Sequence, residues 1–294
     1  MAHAAHDHPL RRALPLFLLA GLCLSSLDAT AKYLTLEHSL FLVVWARYAG
    51  QMLVVTPWAW HRAGPGFWRT RRLRLQLVRS AFLLTATMCF FGGLRFLPLA
   101  EGSAITFLAP IVIVMLSQPV LGERPTSARV LASIVGFAGI LIILRPGSAV
   151  FHPAVLLLIA TAFTHAFYSM YTRKLADEDP RTTLFYSALV GTVAMTPFLP
   201  SAMAGEVLSL RDGALFVLLG VFAGLGHWSL IGAYTLAPAS MLVPFTYVQM
   251  LWATAYGYAI FGQIPDGWSA VGMAVIVAGG VLLALQERRR FRAA

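Results

Sequence analysis

Three ionisable side chains stand inside the first two long apolar runs of the chain. Asp28 and Lys32 lie in the first run, and Arg47 lies in the second. Asp28 and Lys32 are four residues apart and therefore share one face of a helix. If the two runs form antiparallel helices joined at one membrane surface, Asp28 lies about 9 Å and Arg47 about 12 Å below that surface. We therefore expect the carboxylate and the guanidinium to face a common cavity and to pair.

Such a pair supports two kinds of chemistry and one structural alternative. Asp28 and Arg47 could hold the ammonium and the carboxylate of a zwitterion, or Asp28 could exchange a coupling proton. In the alternative, the two groups form a structural ion pair between helices, and the long stem of Lys32 carries its charge to the surface. The residue types and their spacing leave these alternatives open.

Further polar and aromatic side chains that could bind a small molecule lie in the second half of the chain. They are His165, Tyr168, His227, Tyr247, Gln249, Trp252 and Tyr256. A histidine near mid-membrane can titrate close to neutral pH or donate a hydrogen bond. Gln249, Trp252 and Tyr256 follow a helical spacing on one face, which suits a cavity for an amphipathic or planar molecule. Ordinary hydrogen bonding and packing between helices is the alternative for all of them.

Two prolines interrupt apolar runs in which these side chains would be positioned. Pro110 lies in the fourth run and Pro244 in the ninth, at positions that are not equivalent in the two halves of the chain. A proline inside a helix removes one backbone hydrogen bond and can kink the helix. We expect both prolines to act as conformational hinges.

The composition indicates which solvent surrounds these elements. Hydrophobic residues make up 59% of the 294 residues, charged residues only 12%, and the mean hydropathy is +0.74. Soluble domains carry roughly twice this charged fraction. Apolar runs of spanning length occur near residues 13–34, 39–60, 77–97, 101–121, 128–145, 153–173, 182–200, 213–236, 240–262 and 267–286. The sequence therefore predicts an all-α integral membrane protein with about ten transmembrane helices.

The net charge of +10 does not indicate nucleic-acid binding, because the basic residues form short clusters between apolar runs. With ten spans, most of the 22 lysines and arginines fall on one side of the membrane, including a cluster over 62–79 that ends with Arg79. The positive-inside rule then places both termini in the cytoplasm of a bacterial-type inner membrane. The two cysteines provide neither a disulfide framework nor a metal site, and no cofactor is expected.

The chain repeats itself at a constant offset of 140 residues. The matched positions are mainly glycine and proline: Gly92 and Gly232, Pro98 and Pro238, Thr106 and Thr246, Gly122 and Gly262, Pro125 and Pro265, Gly139 and Gly279, and Thr56-Pro57 with Thr196-Pro197. Each half contains five predicted helices, an odd number, so the second half must enter the membrane inverted. Inverted repeats are typical of secondary transporters that expose a central site to each side in turn. This repeat also requires the first run as a helix, which argues against a cleaved signal peptide.

The residues that carry the repeat resemble a known family. Leu121-Gly122-Glu123 after Pro110, followed by a glycine-rich helix, is similar to the EamA-type module of the drug/metabolite transporter superfamily. The resemblance covers two five-helix modules, 13–146 and 153–287, between a cytoplasmic tail at 1–12 and a basic tail at 288–294. It implies ten helices around a central cavity and transport without ATP hydrolysis. The second module departs from the pattern, with Gln263 where the first has Glu123.

Three classes of function can be weighed. A secondary transporter agrees with the repeat, whereas an intramembrane transferase would need clustered acids or a metal-binding motif that the sequence lacks. A sensor would need an effector domain.

One acid, one base and several aromatic groups favour export of a zwitterionic, amino-acid-like metabolite or an amino-acid-derived metallophore. Import of a vitamin or nucleoside-like ring compound, of riboflavin or S-adenosylmethionine type, is the alternative. The expected partners are this substrate, the lipid bilayer and a coupling proton, with the protein a monomer or homodimer.

Overall fold

A computed structural model describes residues 9–122, 125–145, 152–236 and 242–293. These residues form helices and short connections, without a strand among them. In chain order the helices are α1 (Pro9–Glu37), α2 (Leu40–Ala63), α3 (Leu73–Leu94), α4 (Leu99–Thr106), α5 (Leu108–Leu121), α6 (Ser127–Leu144), α7 (Val155–Lys174), α8 (Pro180–Met195), a 3-10 turn (Thr196–Phe198), α9 (Leu199–Ala202), α10 (Leu210–Leu236), a second 3-10 turn (Val243–Tyr247), α11 (Val248–Phe261) and α12 (Gly267–Ala293).

Eight helical stretches within these residues are long and apolar enough to cross a membrane. The fourth stretch, Leu99–Leu121, joins α4 to α5, and the seventh, Pro180–Ala202, joins α8 to α9. The predicted ninth and tenth spans are helical but shorter than expected, with 14 residues in α11 and an apolar segment Gly267–Leu283 in α12. The all-helical class agrees with the prediction for the described residues.

The helix ends follow from local sequence chemistry. α6 begins after Thr126, whose side chain accepts a hydrogen bond from the backbone N–H of Arg129. α5 ends at Gly122 and α11 ends at Gly262, both in the left-handed conformation with φ of 73° and 62°. Only glycine adopts this conformation without a steric penalty from Cβ. The two caps are separated by the 140-residue offset found in the sequence.

The fourth span and the ninth helical segment are both broken, and the breaks are also 140 residues apart. α4 ends at Thr106 and α5 resumes after Phe107, while the second 3-10 turn ends at Tyr247. The rings of Phe107 and Tyr247 stack with centroids 5.1 Å apart and an interplanar angle of 18°. Pro110 lacks the N–H that would bond to Thr106, which explains where α4 stops. Pro244 lies in the first turn of its 3-10 segment, so the breaks are equivalent although the prolines are not.

The principal helix contacts join the first half of the chain to the second. α1 packs on α10 and α11, and α2 packs on α10. In the same way α7 packs on α3 and α5, and α8 packs on α3. A shift of 140 residues converts each contact of the first set into a contact of the second set. The contact between α2 and α8 and the contact between α6 and α12 are each unchanged by this shift. The two halves are therefore interlocked along their full length.

Glycines permit the closest of these contacts. A Cβ atom added to Gly220 of α10 would lie 2.5 Å from Cα of Gly50 in α2. A Cβ atom on Gly139 of α6 would lie 2.7 Å from the carbonyl oxygen of Gly272 in α12. Since contacts below 3.0 Å involve backbone that cannot rotate away, any side chain there would force the helices apart.

Gly220→Ala should therefore lower the free energy of unfolding by about 1–3 kcal/mol, because α2 and α10 must separate. Gly213→Ala is the matched control in the same helix, since an added Cβ there meets nothing within 4 Å. The control should be stabilised by about 0.5–1 kcal/mol. Thermal unfolding in detergent micelles measures both. Equal changes for the two variants would contradict the proposed role of the Gly50–Gly220 contact.

Candidate functional site

Arg47 lies near the first quarter of α2 with its side chain inside the bundle. It is 5% exposed, and its guanidinium carbon lies 4.4 Å from the centroid of the Tyr48 ring. The Nε and Nη1 atoms are buried and have no hydrogen-bond partner. Buried polar atoms almost always have a partner, and a charged group without one is especially costly. The guanidinium is therefore available to a group that the protein itself does not provide.

Asp28 faces the same region from α1. Its charge interacts with that of Arg47, as the depth calculation predicted, but the two side chains do not form a hydrogen-bonded ion pair. The carboxylate keeps some accessible surface although protein surrounds it on all sides. An accessible surface at such depth requires an internal space beside α1 and α2.

His165 in α7 and His227 in α10 border this internal space. Both rings are surrounded by protein yet retain accessible surface. His227 lies within electrostatic range of Arg47, Arg79 and His165, so these side chains occupy one region. The Nδ1–H of His227 donates to the carbonyl oxygen of Ala223 at 2.8 Å, which leaves Nε2 to face elsewhere. The structure thus brings Asp28, Arg47 and both predicted histidines together.

Arg79 was not among the predicted site residues, because it was counted with the basic cluster of a cytoplasmic connection. It lies inside α3, is 4% exposed and makes a full set of hydrogen bonds. Its partners are Oγ1 of Thr172 at 2.6 Å, Oγ of Ser187 at 2.7 Å, the hydroxyl of Tyr168 at 2.8 Å and the carbonyl oxygen of Thr183 at 3.1 Å. The predicted site residue Tyr168 is therefore held by Arg79. Its position inside an apolar helix was the signal that could have identified it.

The predicted face of α11 contacts α1. The hydroxyl groups of Tyr256 and Ser26 lie 2.7 Å apart, and Oγ of Ser25 donates to the carbonyl oxygen of Gln249 at 3.5 Å. The indole Nε1 of Trp252 is buried without a partner. Tyr247, in contrast, stacks on Phe107 at the helix breaks and packs against Gly280.

Lys32 does not extend to the surface, which disagrees with the structural alternative in which its stem carries the charge outwards. The side chain is 2% exposed, and its Nζ donates to the carbonyl oxygen of Leu97 at 2.5 Å. The ammonium also lies 5.2 Å from the centroid of the Phe261 ring. Lys32 thus ties α1 to the α3–α4 connection and to the end of α11, because a free backbone carbonyl is available there.

Two buried glutamines were absent from the predicted set. Gln51 in α2 is completely buried, and neither its Oε1 nor its Nε2 has a partner. Gln76 in α3 is equally buried, but its Nε2 donates to Oγ1 of Thr183 at 3.2 Å. A polar amide in the middle of an apolar run was the available signal for Gln51. Within the described ranges, no three metal-ligating side chains cluster.

Ionic contacts connect the two halves at the end of the bundle where α1 stops. Nδ1 of His38 lies 2.6 Å from Oε2 of Glu206, whose Oε1 accepts from the backbone N–H of Ser39 at 2.9 Å. Nε2 of His38 lies 3.6 Å from Oδ2 of Asp212. These hydrogen bonds, first that of His38 and then that of Ser39, hold the pKa of Glu206 below its ordinary value. The contacts join the α1–α2 turn to the segment that precedes α10.

A related set of contacts joins the halves where α7 stops, with the charges reversed. Nη2 of Arg72 lies 3.4 Å from Oδ2 of Asp177, and the backbone N–H of Arg71 donates to Oε1 of Glu178 at 3.3 Å. At the offset of 140 residues, Glu178 corresponds to His38 and Arg72 corresponds to Asp212. A carboxylate therefore occupies the position of the imidazole, and a guanidinium occupies the position of the carboxylate.

Glu206→Gln should destabilise the folded protein at neutral pH, because it removes the carboxylate between His38 and Ser39. The lowered pKa of Glu206 means that this stabilisation is complete above its ordinary value of 4.5 and is lost as the pH falls through the folded-state value. The melting temperatures of wild type and variant should therefore differ at pH 7 and converge in acid. Glu37→Gln, at an exposed neighbouring residue, is the control. A difference that persists unchanged below pH 4 would contradict this assignment.

Comparisons with known proteins agree with this architecture. The model of the EamA-like transporter family matches residues 11–145 and again residues 152–285. The riboflavin transporter of Vibrio cholerae is 29% identical over 292 residues, which cover 97% of this chain and 96% of that protein. The S-adenosylmethionine uptake transporter of Rickettsia bellii is 26% identical and covers 93% of both chains. The riboflavin transporter of Rhizobium johnstonii is 27% identical, over 93% of this chain and 91% of its own.

A solved crystal structure has the same fold. It superimposes with a TM-score of 0.70 over 94% of this chain and 98% of that chain, at 21% sequence identity. The apolar helices, the internal polar region and the two successive family matches have one common explanation. The chain belongs to the EamA-like transporter family and is a multi-pass membrane transporter of the drug/metabolite transporter superfamily.

Proposed function

We propose that the protein imports a planar ring compound of the riboflavin type, by alternating access between two inverted five-helix repeats. The single observation that carries the proposal is the buried guanidinium of Arg47, whose Nε and Nη1 have no partner in the protein. It requires a ligand rich in hydrogen-bond acceptors. Curated relatives that match nearly the full chain are named as importers or transporters of such ring compounds.

The charge of the internal region favours a flavin over S-adenosylmethionine. Arg47 and Arg79 are both there with His165 and His227, whereas Asp28 is the acid that faces them in the described helices. S-adenosylmethionine carries a sulfonium and an ammonium group, and its net positive charge would be repelled by two buried guanidinium groups. The ring system of riboflavin is uncharged and carries carbonyl acceptors.

The inverted repeat is supported by several independent features. The family model matches twice, the contacts between helices exchange under a shift of 140 residues, and the helix breaks at Phe107 and Tyr247 obey the same shift. Five helices in each half would invert the second half. Movement of one half against the other would then open the central region to each side in turn.

Export of a zwitterion remains the second candidate, because one observation favours it. Asp28 and Arg47 are close enough to interact without bonding to each other, so an ammonium and a carboxylate could lie between them. The named uptake function of the relatives favours import instead. We further propose that both termini are cytoplasmic and that the protein acts as a monomer or homodimer.

Arg47→Gln should reduce riboflavin uptake at least tenfold, because the buried donor group for the ligand is lost. The assay is accumulation of labelled riboflavin in proteoliposomes and growth of a riboflavin-auxotrophic strain. Arg62→Gln is the matched control, an exposed arginine in the same helix, and should transport like wild type. Normal uptake by Arg47→Gln would refute the site. A wild type that carries amino acids outwards but not riboflavin inwards would establish the second candidate.

Asp28→Asn should abolish accumulation driven by a pH gradient and preserve exchange of external for internal riboflavin. The reason is that an amide cannot carry a coupling proton, whereas exchange requires no net proton movement. The two activities are measured in the same proteoliposomes, with and without an imposed gradient. Loss of both would make Asp28 a ligand or structural residue, and retention of both would remove it from the mechanism.

A further inference from the structure

Gln51 occupies an unusual position for a polar side chain. It is the twelfth residue of the 24-residue helix α2, so it lies at the level where inverted-repeat transporters bind their substrates. Its side chain is completely buried, and both its amide nitrogen and its amide oxygen lack a partner. Each unpaired buried polar group costs about 1–3 kcal/mol, so a persistent pair of them in one side chain requires an explanation.

Gln51 and Arg47 both have unpaired atoms and lie on the same helix. The two residues are four apart in α2 and therefore share a face. The Tyr48 hydroxyl, on the adjacent turn, bonds to Oγ1 of Thr87 at 2.8 Å and does not bond to Gln51. On the other side, Gly50 and Gly220 bring the backbones of α2 and α10 together without contributing a polar side chain.

Among the described residues, Arg47 and Gln51 each leave two buried side-chain atoms unpaired, whereas the other affected side chains, Gln76 among them, leave one. Arg79 uses all three of its guanidinium nitrogens, and the nitrogen of Gln76 bonds to Thr183. One face of α2 thus retains two unused guanidinium nitrogens together with an unused amide donor and an unused amide acceptor. This is a pattern of donor, acceptor and further donors along a single helix face.

We infer that Gln51 and Arg47 together recognise a planar imide edge, in which two ring carbonyls flank an N–H. The Gln51 oxygen accepts from the ring N–H, its NH2 group donates to one carbonyl, and the Arg47 guanidinium donates to the other. The pyrimidine part of a flavin presents this edge, so the inference rests on the proposed function and specifies its contact. Both side chains are occluded in this conformation, so the edge reaches them when α2 moves relative to its neighbours.

This assignment distinguishes an imide ligand from the zwitterion of the second candidate. In the zwitterion alternative the carboxylate lies on Arg47 and the ammonium on Asp28, so no N–H of that ligand is assigned to the Gln51 oxygen. That oxygen would then stay buried and unpaired. Gln51 is therefore a specificity-determining residue, whose effect depends on the ring N–H of the ligand.

The decisive measurement compares riboflavin with N3-methylriboflavin on the purified wild-type protein. Binding is followed by quenching of flavin fluorescence, and methylation should weaken it at least tenfold because the N–H is lost. Riboflavin binding with equal affinity for the methylated compound would overturn this inference alone. Absence of riboflavin binding would overturn the proposed function and this inference with it.

Variants test whether Gln51 is the residue responsible. Gln51→Leu should bind riboflavin at least tenfold more weakly, no longer distinguish the two flavins, and melt at or above the wild-type temperature, since it removes two unpaired groups. Gln76→Leu is the matched control and should keep the discrimination but melt lower, because it leaves Thr183 without its donor. Undiminished discrimination in Gln51→Leu would refute the assignment. If that variant does not fold, the comparison of the two flavins on wild type decides.

Discussion

The interior of a lipid bilayer supplies no hydrogen bonds, so polar groups among these helices depend on partners within the protein. Arg79 meets this requirement with hydroxyl and carbonyl oxygens from two other helices. Arg47 and Gln51 do not, although they are equally buried. The contrast matters because both arginines carry the same charge at similar burial. One of them joins three helices through its hydrogen bonds, whereas two nitrogens of the other have no partner in the protein.

The same constraint shapes the proposed substrate specificity. In the described helices the region contains the buried guanidinium groups of Arg47 and Arg79, and the carboxylate of Asp28 faces Arg47, so the region favours acceptors over additional positive charge. Relatives named for riboflavin and for S-adenosylmethionine share the fold with this chain at similar identity. Overall similarity therefore does not distinguish between these substrates. The proposal of a flavin therefore rests on the arrangement of charged and unpaired groups on α2.

The interlocking of the halves explains how a small region can be linked to motion of the whole molecule. Helices of each half pack mainly on helices of the other, through contacts as close as that of Gly50 with Gly220. At the two ends, His38 with Glu206 and Arg72 with Asp177 connect the halves, and in both contacts the first half supplies the base and the second half the acid. In the proposed cycle, opening towards either side must break one of these sets.

Local composition by itself determined that lipid surrounds the helices, that the fold is all-α, and where most helices lie. These properties depend on runs of neighbouring residues. The 140-residue offset paired Gly122 with Gly262, which both end helices in the left-handed conformation, but the paired helix breaks were not predicted from the sequence. Counting the helical rise placed Asp28 and Arg47 at nearly one depth, and the two charges lie within range of each other. Which polar side chains are satisfied could not be read from local sequence, since the partners of Arg79 lie as far as 108 residues away and Lys32 finds a carbonyl 65 residues on. Only the tertiary structure decided that Arg79 is held, that Lys32 is buried, and that Gln51 beside Arg47 is left without a partner.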